Sequence, residues 1–115
     1  MLTKYPDKGS INAIWSCWDV PQVGATQAVE AAGRTEIKTY GIDGSPDVVK
    51  MVADPKSAAA AVAAQQPAEI GKTAIDNVAK YLNGDKAIAP FTFVPFVLVT
   101  KANAAETAPK VLPKD

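Results

Sequence analysis

A chain of 115 residues is long enough for one domain and too short for a multidomain enzyme. Hydrophobic residues make up 48% and charged residues 21%, which supplies a core and excludes wholesale disorder. Twelve Lys and Arg balance twelve Asp and Glu, so no net field draws the chain to nucleic acid or to an anionic membrane surface.

The chain opens Met1-Leu2-Thr3-Lys4-Tyr5-Pro6-Asp7-Lys8-Gly9, which lacks the apolar stretch of a signal peptide. No later apolar run approaches the roughly 20 residues of a membrane span. Translated from Met1 as written, the chain is expected to stay in the cytoplasm. Residues 11–17, rich in β-branched and aromatic side chains, predict a strand. A helix follows, for which Asp19 and Gln22 have the spacing of a capping box, Pro21 falls in the first turn and Gly33 marks the stop. Ala25, Ala28, Val29 and Ala32 give it a stripe of small residues suited to close packing on a sheet. Residues 37–42 predict a second strand ending at Asp43-Gly44, and Ser45-Pro46-Asp47 then supplies an N-cap, a first-turn proline and a first-turn acid.

After a short helix to about Ala53, residues 57–64 combine alanine-rich helix propensity with the length and proline flanks of a strand, and context favours the strand. The longest helix runs from Pro67 to Leu82, with Gly71, Ala74, Ile75, Val78 and Leu82 on one face and Asn83-Gly84 as its stop. Residues 91–100 predict a last strand, with Pro95 marking an edge or a crossing. Beyond Lys101, Pro109 and Pro113 among Ala, Lys, Glu and Asp predict a loose tail. The alternation implies an α/β fold with a parallel sheet and right-handed crossovers.

Ligands of open parallel sheets bind beyond the carboxyl ends of the strands. That rule selects Trp18-Asp19, Asp43 and Gln65-Gln66. An indole face, a carboxylate and a carboxamide suit a neutral polyhydroxyl ligand, a sugar or polyol, with the ring stacking and the polar groups binding hydroxyls. Each residue also has a plainer role: Asp19 as N-cap, Asp43 as a turn residue before Gly44, Gln65 as the solvent-facing end of an apolar run, Trp18 as packing. Alternation places Trp15 opposite Trp18, in a core or packing role. The sequence contains no histidine and one cysteine, so His-based catalysis, an internal disulfide and a His-containing metal site have no residues to build them. Cys17, with no base available, is expected to be a small buried hydrophobe. Gly41-Ile42-Asp43-Gly44 lacks the spacing of a phosphate-binding glycine fingerprint, and no cofactor is expected.

The succession Ala13-Ile14-Trp15-Ser16-Cys17-Trp18-Asp19 with Gly24-Ala25, then Tyr40-Gly41-Ile42-Asp43-Gly44-Ser45-Pro46-Asp47, then Ala64-Gln65-Gln66-Pro67 with Ile70-Gly71, resembles the ribose-binding-like branch of the type I periplasmic binding proteins of ABC transporters. The resemblance extends to about Lys101 and corresponds to the C-terminal third of a full-length member, as a fragment would. It implies a two-lobed protein closing on a monosaccharide or polyol, with Asp43 and Gln65 as hydrogen-bonding partners of the sugar and Trp18-Asp19 beside them. Trp18 stands where ribose binders carry an asparagine, so the resemblance does not carry ribose over. Residues 1–65 correspond to the second half of the C-terminal lobe and residues 66–94 to a segment of the N-terminal lobe. Residues 95–115 correspond to a return strand and tail.

The resemblance further implies a periplasmic parent protein, a membrane permease as partner and no enzymatic activity. It also leaves an unpartnered helix that favours self-association of the isolated chain. Related bacterial repressors sense effectors with the same fold. The transport reading is favoured by Trp18-Asp19 and the tail. A free-standing α/β enzyme is the least supported alternative, because only unpaired carboxylates are available.

Overall fold

A computed structural model describes residues 1–112 of the chain. Eight elements alternate along it: β1 (Ala13–Trp15), α1 (Asp19–Ala31), β2 (Lys38–Asp43), α2 (Pro46–Ala53), β3 (Ala59–Ala64), α3 (Pro67–Leu82), β4 (Val97–Thr100) and α4 (Ala104–Val111). The chain divides into two units, one made of Met1–Gln65 and Val97–Asp115, the other of Gln66–Phe96.

In the first unit the strands form one sheet in the order β1-β2-β3-β4. The first three are parallel, with Trp15 opposite Tyr40 and Asp43 opposite Ala64. This is the expected α/β architecture, with one departure. β4 pairs antiparallel to β3, with Val97 opposite Ala64. The chain re-enters the sheet at the end of β3 from which it left, and a strand entering there can only run back along its neighbour. β4 is also shorter than expected and starts after Pro95, so the missing proline N–H lies outside the ladder.

The alanine-rich segment is a strand, as context indicated, because β2 and β4 satisfy its backbone on both sides. Its small side chains let helices approach. Ala59, Val62 and Ala64 pack with Val48, Val49 and Val52 of α2, Val99 of β4 and Ala104 of α4, while Ile14, Val29, Ile37 and Ala58 form a second cluster. At the end of α1, Gly33 has φ +64° and the amides of Gly33 and Arg34 donate to the carbonyls of Glu30 and Val29, the paired bonds of a Schellman stop. Beyond that stop, the Arg34 guanidinium donates to the carbonyls of Tyr5, Pro6 and Asp7 and to Glu36, fastening the N-terminal turn.

Several expectations are corrected. The inward line of α1 is Asp19, Gln22, Thr26 and Val29, while Ala28 and Ala32 face outward. Polar residues occupy it because their partners lie across the interface: Gln22 Nε2 donates to the Ala61 carbonyl at 3.0 Å, and the Thr26 and Thr39 hydroxyls share a 2.6 Å bond. No capping box forms. Trp18 holds the N-cap position in extended backbone without a side-chain cap bond, and Asp19 is already helical.

Trp15 is 69% exposed, on a sheet face that none of the chain's buried clusters occupies, and Cys17 is exposed as well. The expected loose tail contains α4. Ala104 and Thr107 are buried, and the Asn103 carboxamide ties the preceding turn by accepting from the Thr100 amide and donating to the Leu98 carbonyl. Pro113 lies outside the described residues.

The second unit consists of α3 and the segment after it. Gly84, at φ +95°, ends α3 with the same pair of bonds that closes α1. None of the α3 side chains is buried, and Ile75, Val78 and Leu82 are all exposed. Asn77 donates to the Thr92 hydroxyl at 3.0 Å, and Lys72 pairs with Asp76 one turn away.

Candidate functional site

The carboxyl ends of β1, β2 and β3 lie side by side, because consecutive parallel strands are neighbours in the sheet. Three of the residues singled out from the sequence follow those ends in order: Trp18 after β1, Asp43 at the tip of β2, Gln65 after β3. Asp43 is therefore central. The Gln65 amide donates to the Asp43 carbonyl at 2.9 Å, and the Gln65 carboxamide Nε2 donates to the Asp43 carboxylate oxygen Oδ1. Neither side chain makes another hydrogen bond among the described residues, so one carboxylate oxygen and one amide oxygen remain as acceptors. Both residues are half-buried, and Trp18, beyond the end of β1, is 50% exposed. Gln66, the other glutamine of the pair, belongs to the second unit, where its carboxamide donates to the Pro95 carbonyl at 2.7 Å.

Asp43 has φ +96°, alone among the non-glycine residues with positive φ in the described chain. Such a conformation typically costs about 1–3 kcal/mol and persists only where surrounding contacts impose it. Gly44 follows at φ +85°, pressed so close to β3 that an added Cβ would lie 2.5 Å from the Ala64 Cβ and 2.9 Å from its Cα. Two left-handed residues in succession turn the chain from β2 into Ser45, the N-cap residue of α2. The Asp-Gly pair signals a turn in sequence, and aspartate is among the few non-glycine residues that tolerate the left-handed φ seen at Asp43.

Asp19 is placed differently from its three companions. It is 8% exposed, and its Oδ2 accepts the Ser45 amide at 2.9 Å, joining the turn after β1 to the turn after β2. Its expected N-cap role is replaced by this bond across two loops. Sequence spacing offers no sign of it, since the partners are separated by 26 residues and the donor is a backbone group. Behind the same edge, Gln22 inserts its carboxamide against Gly41, where an added Cβ would lie 2.2 Å from Gln22 Oε1. That oxygen is buried without a hydrogen-bond partner among the described residues.

Chemically the edge offers acceptor oxygens and an aromatic face, which suits binding of hydroxyl groups. Among the described residues, no group of three or more acidic or thiol side chains could hold a metal ion, and no helix is long and apolar enough to cross a membrane.

Residues 1–86 match the periplasmic binding protein domain family. The ribose import binding protein of Escherichia coli is 36% identical over 101 residues, covering 88% of this chain and 32% of the relative. The D-allose-binding periplasmic protein of the same organism is 35% identical over 99 residues, covering 80% of this chain and 31% of the relative. Among solved structures, an ABC transporter solute-binding protein from Agrobacterium vitis with bound allitol superposes with a TM-score of 0.88 at 60% identity, over 95% of this chain and 37% of that one. An ABC sugar transporter subunit from Rhodobacter sphaeroides gives 0.84 at 66% identity, over 90% and 36%. The chain spans about a third of the length of these relatives.

Proposed function

We infer that this chain, which belongs to the periplasmic binding protein domain family, contributes one wall of a sugar- or polyol-binding site in a solute-binding protein for ABC-transporter uptake. The observation that carries this reading is the Asp43–Gln65 pair at the tips of neighbouring parallel strands, with open acceptor oxygens, while the half-exposed Trp18 follows the adjacent strand β1. Asp43 and Gln65 accept ligand hydroxyls, and Trp18 stacks on the carbon face of the ligand. Asp19 belongs to the same constellation. Relatives with bound allitol and with allose in their names support a polyol or monosaccharide as the ligand class. By the same kinship the parent protein is periplasmic and delivers its ligand to a membrane permease, and binding and delivery involve no catalysis.

Residues 66–94 fit this reading as a piece of the opposite lobe. A helix with Ile75, Val78 and Leu82 all exposed is suited to a sheet supplied by the rest of a longer protein. A single wall neither completes the contact set nor excludes water, so the 115-residue chain should bind allitol, allose or ribose with millimolar affinity or weaker. Ligand-observed NMR at tens of millimolar polyol tests it. Signals are expected for the wild-type chain and should fall in Asp43→Ala and Gln65→Ala. The reading fails if no pentose, hexose or polyol gives a signal, or if both variants match wild type.

A further inference from the structure

The two left-handed residues Asp43 and Gly44 are tied at both ends. On the near side, the Gln65 backbone and carboxamide hold the Asp43 carbonyl and carboxylate. On the far side, the first amide beyond the pair, that of Ser45, is held by the Asp19 carboxylate. Gly44 is wedged against Ala64 between them and cannot slide along β3. The near tie comes from the adjacent strand; the far tie comes from the turn after β1, two strands away from Gln65. A left-handed aspartate released at its far end relaxes toward ordinary extended backbone, which swings the carboxylate away from Gln65. Asp19 itself starts α1 with almost no exposed surface, so its carboxylate is spent on the loop.

We propose that Asp19 is a positioning residue: through the Ser45 amide it fixes the Asp43–Gly44 turn, and so sets where the Asp43 carboxylate and its Gln65 partner stand for ligand recognition. The functional half of this statement rests on Asp43 being a ligand contact, as proposed above. The geometric half does not, and the two can be tested apart.

Two variants break the same bond from opposite sides. Asp19→Ala removes the acceptor. Ser45→Pro removes the donor and sets its ring Cδ where the amide hydrogen pointed, so the Asp19 carboxylate must withdraw; the φ of −57° at Ser45 already suits proline. Asp19→Asn retains an acceptor oxygen and serves as the rescue. The readout is the Gln65 side-chain carboxamide pair in nitrogen-labelled NMR spectra of the 115-residue chain, together with amide exchange at Ser45 where that amide exists.

Asp19→Ala should accelerate Ser45 exchange about tenfold or more while amides in β3 keep their protection. Both breaking variants should move the Gln65 carboxamide signals toward those of a solvated glutamine, the double variant should be no worse than either, and Asp19→Asn should stay near wild type. The proposal is overturned if the Gln65 signals hold in Ser45→Pro, or if Ser45 exchange in Asp19→Ala rises only in step with every other amide. Titration with allitol adds the second arm: Asp19→Ala should weaken binding in the wild-type background and have no effect once Asp43→Ala is present. Should Asp43→Ala leave allitol binding unchanged, the functional half of the proposal falls, while the Gln65 and Ser45 signals still decide the positioning role.

Discussion

Replacing Gly44 by alanine separates two penalties that usually arrive together. Gly33, at φ +64°, and Gly9, at φ +82°, have nothing within 4 Å of an added Cβ, so alanine there meets only the left-handed backbone. That term is about 1–2 kcal/mol, offset by about 0.4–1 kcal/mol from the reduced freedom of the unfolded chain, leaving a net loss near 1 kcal/mol. Gly44 carries the same backbone term at φ +85° and adds a Cβ 2.5 Å from the Ala64 Cβ and 2.9 Å from its Cα. The Cα is backbone at the end of β3, paired on both sides with Asp43 and Val97, and has no rotamer by which to yield, so overpacking adds about 1–3 kcal/mol. Gly44→Ala is therefore expected to lose about 2–4 kcal/mol, clearly more than Gly33→Ala or Gly9→Ala. Equilibrium urea unfolding followed by tryptophan fluorescence and circular dichroism measures all three. If Gly44→Ala and Gly33→Ala agree within about 0.5 kcal/mol, the contact with Ala64 does not confine the turn, and the overpacking argument is refuted.

Gly41→Ala should also destabilise, by about 1–2 kcal/mol, because the new Cβ evicts the Gln22 carboxamide from the Ala61 carbonyl; the same substitution in a Gln22→Ala background should cost less, and urea midpoints of the four proteins check both. The hydrogen bond from Arg34, followed by the Glu36 backbone amide, holds the Glu36 carboxyl below the usual glutamate range. A depressed carboxylate stabilises the fold above its unfolded value, and that contribution disappears as the pH falls through the lower folded value. Melting temperatures of wild type and Glu36→Gln should thus differ near neutrality and converge in acid, and parallel curves across the whole range would contradict this.

The sequence already marked the elements that depend on local chemistry. Gly33 and Gly84 stop their helices where a glycine after the last turn permits the left-handed residue, and Pro46 and Pro67 open theirs. The order of Trp18, Asp43 and Gln65 along the sheet edge follows from the strand assignments. What was not legible depended on contacts far away in the chain. Gln22 looked like part of a cap because it stands three residues after Asp19; only the carbonyls of Thr39 and Ala61 give its carboxamide a reason to be buried. Trp15 looked like core because alternation set it opposite Trp18; parallel strands are normally covered on both faces, and among the described residues its face lacks that cover. The segment after Lys101 looked loose because Pro109 and Pro113 outweighed a modest apolar pattern, whereas α4 gains its stability from packing against α2 and β4. Asp19 could be recognised as polar and well placed, but its partner is a main-chain amide, which no side-chain pattern announces.

The register of the last strand pair has an engineering consequence. Ala64 and Val97 face each other across an antiparallel ladder, so everything from Gln66 to Phe96 enters and leaves at one point of the sheet, as an insertion does. A connection of this kind can be replaced by a hairpin of about two to five residues without altering any strand position. Such a splice would keep both buried clusters and the Trp18, Asp43 and Gln65 edge, while discarding the helix whose apolar side chains are all exposed. The edge that carries Trp18, Asp43 and Gln65 and the segment that leaves the sheet are thus separable by a single cut and join.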